Sequence, residues 1–110
     1  MNKKIRKELA DKTIKLLKDY EAFGDVGVYY DGIRVTSGRD GKDVEEEVDV
    51  STITKYCNKD TITICFEGVL YHAINYGDYP ELVKALDNLF AEYGYYYDLG
   101  EAWNMALYKM

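Results

Sequence analysis

Val26-Gly27-Val28-Tyr29-Tyr30-Asp31-Gly32-Ile33-Arg34-Val35-Thr36, residues 26–36, is the stretch whose reading decides the fold. Two short runs rich in β-branched and aromatic residues flank Asp31-Gly32, a pair that readily takes the positive φ angles of a type I′ turn. The two-residue loop fixes the register: Tyr30 faces Ile33 and Val28 faces Val35 on one side of the ribbon. Tyr29 and Arg34 meet on the other side, where the guanidinium can lie against the ring.

Outward from this hairpin the chain reads as a sheet with helices on one face. Thr61–Phe66 and Val69–Ile74 flank Glu67-Gly68 and form a second hairpin signal. It puts Ile62, Ile64, Phe66, Val69, Tyr71 and Ala73 on the core face, and His72 across from Thr63 with Cys65 on the diagonal. Upstream, Ile5, Leu9, Thr13, Leu16, Leu17 and Tyr20 recur at spacings of three and four, predicting an amphipathic helix from about Lys3 to Glu21. Downstream, Asp78-Tyr79-Pro80-Glu81 announces a second helix with Leu82, Leu86, Leu89, Phe90 and Tyr93 as its buried stripe, closed at Gly94. The alternation of Trp103, Met105 and Leu107 with Asn104, Ala106 and Tyr108 predicts a final strand. Residues 38–49 carry turn residues and charge and read as a surface loop or an edge, while residues 44–57 suit either a strand or a short helical turn begun at Ser51. The expected fold class is α+β: an antiparallel sheet of four to five strands with two helices packed on one face, in a single domain over residues 1–110.

The 110 residues carry a net charge of −6, unevenly spread. Residues 1–18 hold seven Lys/Arg against Glu8 and Asp11, and every other segment together holds seven against eighteen carboxylates. An acidic body is repelled by phosphate backbones and attracted to basic protein surfaces, so the expected partner is a protein with a basic surface, such as a nuclease, and no nucleic acid is bound directly. No apolar run has membrane length and no signal-type stretch follows the basic start. The expectation is a cytoplasmic protein, without membrane contact, whose Cys57 and Cys65 stay reduced.

Chemistry is sparse. His72 is the sole histidine, and a cross-strand neighbour of small residues is more often structural than catalytic. Cys57, Cys65 and His72 lack the paired spacing of a structural zinc site. Asp40-Gly41-Lys42-Asp43 lacks the ligand register of a calcium loop, and no glycine-rich phosphate loop occurs. The reading is therefore non-enzymatic, with no metal and no cofactor.

Two features point to binding instead. Asp43, Glu45, Glu46, Glu47 and Asp49 form a dense acidic run whose self-repulsion a basic partner would relieve. Twelve tyrosines stand in the chain, with Tyr95, Tyr96 and Tyr97 consecutive, so that at least one ring faces outward as an anchor.

The stretches Thr61–Tyr71 and Tyr93–Asn104 resemble small uncharacterised proteins of Firmicutes genomes and their mobile elements. In size, acidity and tyrosine content the chain is similar in character to anti-CRISPR and antirestriction inhibitors, several of which mimic the charge of DNA. The resemblance implies a protein-binding inhibitor or adaptor whose acidic face docks on a basic nucleic-acid-binding protein. The basic helix departs from a uniform DNA mimic and leaves a local acidic patch. The alternative is a self-associating structural domain, a possible homodimer in which the basic helix of one copy meets the acidic body of another. A small enzyme using His72 ranks third.

Overall fold

The computed structural model describes all 110 residues, Met1–Met110, with six strands and three helices. In chain order these are α1 (Lys3–Asp19), β1 (Val26–Tyr30), β2 (Ile33–Ser37), β3 (Asp43–Glu47), β4 (Thr63–Phe66), α2 (Gly68–Tyr76), α3 (Pro80–Glu92), β5 (Tyr95–Leu99) and β6 (Asn104–Lys109), with a single 3₁₀ turn at Val50–Thr52. The strands form one antiparallel sheet in the order β3-β2-β1-β4-β6-β5. The α+β class and the antiparallel sheet are as the sequence leads one to expect, but the strand and helix counts exceed the expected four to five and two.

The β1–β2 hairpin has the register read from its turn, with Tyr30 opposite Ile33, Tyr29 opposite Arg34 and Val28 opposite Val35. Asp31 and Gly32 take φ of 50° and 77°, the left-handed pair that a type I′ turn requires. Arg34 lies 6.0 Å from the centroid of the Tyr29 ring.

The second hairpin does not exist. Residues 69–74 are helical, within α2, and β4 pairs instead with β1 and β6. Two facts explain the difference. Leu70 and Ala73, the buried residues of α2, stand three apart, a helical spacing that a short apolar run shares with a strand. Gly77 then stops the helix at φ 73°, where only the loss of a Cβ makes the left-handed turn cheap. With residues 69–74 in a helix, β4 takes its sheet partner from the far end of the chain. Tyr95–Leu99, outside the expected strands, forms β5 and pairs along β6.

Val26, Val28, Tyr30, Val35, Ile64, Phe66, Met105 and Leu107 point to one face, where α1 and α3 pack on the sheet and on each other. On α1 the buried set is Leu9, Ala10, Thr13, Ile14 and Leu17, while Tyr20 is exposed, so the stripe is turned toward Ala10 and Ile14 relative to the expected one. On α3 Leu82, Leu86, Leu89 and Phe90 are buried as their spacing predicts. The helix begins on Tyr79 rather than on a capping Asp78, and Tyr79 holds φ 54° before Pro80.

The opposite face is covered in part by the segment that links β3 to β4. Asn104 is fully buried there: its Nδ2 donates to Tyr56 O at 3.0 Å and its Oδ1 accepts from Glu101 N at 2.7 Å. Asn58 Nδ2 donates to Leu107 O at 2.7 Å, and Asn58 N donates to Thr63 Oγ1. Residues 54–58 thus form a strap, hydrogen-bonded across β4 and β6 where an open sheet would leave polar groups to water. Neither reading left open for residues 44–57 holds as drawn: the strand is Asp43–Glu47 and stops short of Val48, Val50 and Ile53, and the helical turn is a 3₁₀ turn at Val50–Thr52, with Asp49 and not Ser51 as the cap and with Tyr56 and Cys57 outside it.

Candidate functional site

The sheet has two open edges, and the two groups of residues singled out in the sequence fall one on each. Acidic β3 is at one end and tyrosine-rich β5 at the other. Five inter-strand spacings separate them, about 24 Å at ~4.8 Å each. They do not form one surface.

On β3 all five residues are exposed. Alternation sends Asp43, Glu45 and Glu47 to the helix-bearing side, opposite Ser37, Val35 and Ile33, and sends Val44 and Glu46 to the other side. Three of the five singled-out acids are already paired within the chain. Asp43 meets Lys18 at 2.8 Å, Glu46 meets Arg34 at 3.1 Å, and Asp49 meets Lys59 at 2.9 Å. Asp49 also accepts from Ser51 Oγ and N, and this hydroxyl, more than the lysine, draws its carboxyl down to about 2. Glu45 and Glu47 form no ion pair. Between α1 and the inner face of β3 runs a groove of about 880 Å³ whose walls mix Lys3, Lys4, Lys7 and Lys12 with Glu8, Asp11 and Glu45. The acids make a local patch broken by cations, not a continuous negative field.

Most of the lysines of the basic helix are paired in the same way. Lys7 pairs with Asp11 at 3.0 Å, Lys12 with Glu8 at 3.6 Å and Lys15 with Asp19 at 2.9 Å, each one helical turn apart, and Lys18 reaches β3. Lys3 and Lys4 stay outside these pairs, so the contrast between a basic start and an acidic body is resolved only in part inside one molecule.

On β5, Tyr95 and Tyr97 turn toward the helices, and the Tyr97 ring meets Phe90 edge-on at 6.3 Å. Tyr96 points to the other face beside Tyr108 at 6.2 Å, with 47% of its surface exposed, and Leu99 is 41% exposed. The backbone phase follows from two bonds at the ends of the ladder: Met110 N donates to Gly94 O, and Gly100 N donates to Asn104 O. Alternation between those ends makes Tyr96 opposite Tyr108, and Asp98 opposite Ala106, the hydrogen-bonded pairs. The N–H and C=O of Tyr95, Tyr97 and Leu99 accordingly point away from β6, into the open edge. The same reasoning on β3, from Val48 N to Gly32 O and Gly38 N to Lys42 O, points the backbone of Asp43, Glu45 and Glu47 outward.

The residues weighed for catalysis are dispersed. His72 is not on a strand facing Thr63 and Cys65: it is exposed on α2, between Tyr71 at 6.0 Å and Tyr76 at 5.5 Å. Cys65 lies on β4, opposite Gly27 and Asn104, and burial pushes its thiol up to about 11. No three His, Cys, Asp or Glu side chains converge. Tyr76 and Tyr79, which stand out in the sequence among the tyrosines suited to an interface but outside the expected binding set, are 65% and 54% exposed around the α2–α3 connection. Their neighbour Asn75 donates to Ala102 O at 2.8 Å, which sets the end of α2 against the β5–β6 turn. No helix is long and apolar enough to cross a membrane. No family model, curated protein or solved structure matches the chain.

Proposed function

We propose that the protein is a non-catalytic binding module, of the inhibitor or adaptor kind, that takes a strand of another chain onto its β5 edge. The observation that carries this reading is the open backbone of Tyr95, Tyr97 and Leu99, set between a packed tyrosine face and the exposed Tyr96 ring. Main-chain pairing at such an edge supplies affinity and the alternating side chains supply selectivity. Rigid aromatic rings with a polar tip anchor contact at small entropic cost.

A second reading keeps the acidic edge as the docking element for a basic nucleic-acid-binding protein, as an anti-defence inhibitor would use it. Glu45 and Glu47, side by side on β3 without ion pairs, favour it. Against it stand the internal pairs of Asp43, Glu46 and Asp49.

One experiment separates the two. A photo-reactive phenylalanine analogue is placed at position 96 in one variant and at position 45 in another, and each is irradiated in bacterial lysate at low and at high salt. The β5 reading predicts adducts from position 96 that persist in salt. Adducts from position 45 alone, lost in salt, would move the function to the acidic edge, and adducts from neither would end the binding reading.

A further inference from the structure

The two edges differ in what they accept from their own kind, and this names a partner for β5. We propose that the β5 edge pairs with β5 of a second copy of this chain, antiparallel about a two-fold axis at Tyr97, making one twelve-stranded sheet from two molecules; the inference rests on the strand-addition reading above.

The outward backbone groups of Tyr97 give a self-complementary hydrogen-bonded pair on the axis, flanked by Tyr95 with Leu99 of the second copy on either side. On the helix-bearing face this lays ring against ring and ring against leucine. On the other face Tyr96 stands directly across from Asp98 of the second copy, twice, in the closer, non-hydrogen-bonded type of pair, where a phenol can donate to a carboxylate. No like charges meet along the strand. The same operation on β3 would put Glu45 against Glu45 and Asp43 against Glu47, so that edge rejects its own copy. Pairing of the basic helix with an acidic body, the other route to a dimer, has only Lys3 and Lys4 of the α1 lysines to offer, because Lys7, Lys12, Lys15 and Lys18 are paired at home.

Two features set the strength. A five-residue strand covers less than the roughly 1,200 Å² of a standard interface, so the dimer is weak and concentration-dependent. Each copy carries −6, and Asp87 lies close enough to Tyr97 to raise its phenol, second to burial, so salt strengthens the association rather than weakening it.

Sedimentation equilibrium on the full chain from micromolar to millimolar concentration reads the result. The wild type forms a dimer that tightens with salt. Tyr96→Asp, at an exposed position, faces two carboxylates with two more and raises the dissociation constant about tenfold. Adding Asp98→Lys to it restores association to roughly the wild-type value. A wild-type monomer at every concentration, growth past the dimer into filaments, or a double variant no better than the single one would each overturn the proposal. Should either variant fold poorly, an Hα–Hα contact between Tyr96 and Asp98 of different copies, sought by NMR in a mixture of labelled and unlabelled wild-type chains, decides the register: its presence in a dimer supports the pairing and its absence refutes it. A monomer that still gives salt-resistant adducts to another protein from position 96 would overturn the second copy as partner and leave strand addition standing.

Discussion

Cys65 sits on the face of β4 turned from the helices, between Gly27 and Asn104, and there burial makes its thiolate costly. With its pKa raised from 9.0 to about 11, the fraction of reactive thiolate at pH 8 falls on the order of 100-fold. We therefore expect a maleimide at pH 8 to label Cys65 at least ~100-fold more slowly than it does in the denatured chain, with a rate that climbs about tenfold per pH unit toward pH 11. Labelling followed by peptide mass analysis checks this, and rapid reaction in the native state would contradict it. The sign extends to stability: the folded state holds this proton more tightly, so its contribution is intact below pH 9 and is lost as pH rises through 11. Single residues were legible in the sequence where local geometry alone decides them. Asp31-Gly32 dictated a turn and a register without help from the rest of the chain, and Arg34 fell against Tyr29 as a consequence. His72 was misplaced because its position depended on the secondary structure of its neighbours.

Among elements, the hairpin and the two long helices follow from patterns of period two and period 3.6 that admit one reading over their length. Residues 69–74 are short and apolar throughout, and there periodicity cannot choose; packing chose, because β1 and β6 already occupy both sides of β4. Tyr95–Leu99 carries three tyrosines in a row, which hides the alternation that the structure imposes on them. The strap at 54–58 was illegible for a further reason: its anchors are long-range, with Asn104 reaching Tyr56 and Asn58 reaching Leu107 across 48 and 49 positions of chain. Gly100 is the tightest point under it, since a Cβ there would fall inside van der Waals contact with Tyr56 Cβ. Gly100→Ala is expected to lift the strap and lower stability by about 1–3 kcal/mol. Urea denaturation measures this, and a variant as stable as the wild type would show that the strap does not press on the β5–β6 turn.

At the scale of the whole molecule, charge and aromatic content were visible in the sequence, but their distribution was not. The acids of residues 43–49 and the tyrosines of 95–97 read as one potential surface until the sheet order put a full sheet width between them. Four of the six lysines that made the first helix look basic proved to be the partners of nearby acids, a pairing that follows from i,i+4 spacing for three of them and from the fold for Lys18. What the fold leaves unsatisfied is backbone along two edges, one guarded by carboxylates and one by rings. Amide hydrogen exchange along β5 tests most directly that the second of these is where another chain adds. In dilute solution the amides of Tyr95, Tyr97 and Leu99 should exchange fast and those of Tyr96 and Asp98 slowly; at high concentration, or with a captured partner, the first three should slow by at least about tenfold. Fast exchange of those three under every condition, or new protection confined to Asp43, Glu45 and Glu47, would contradict it.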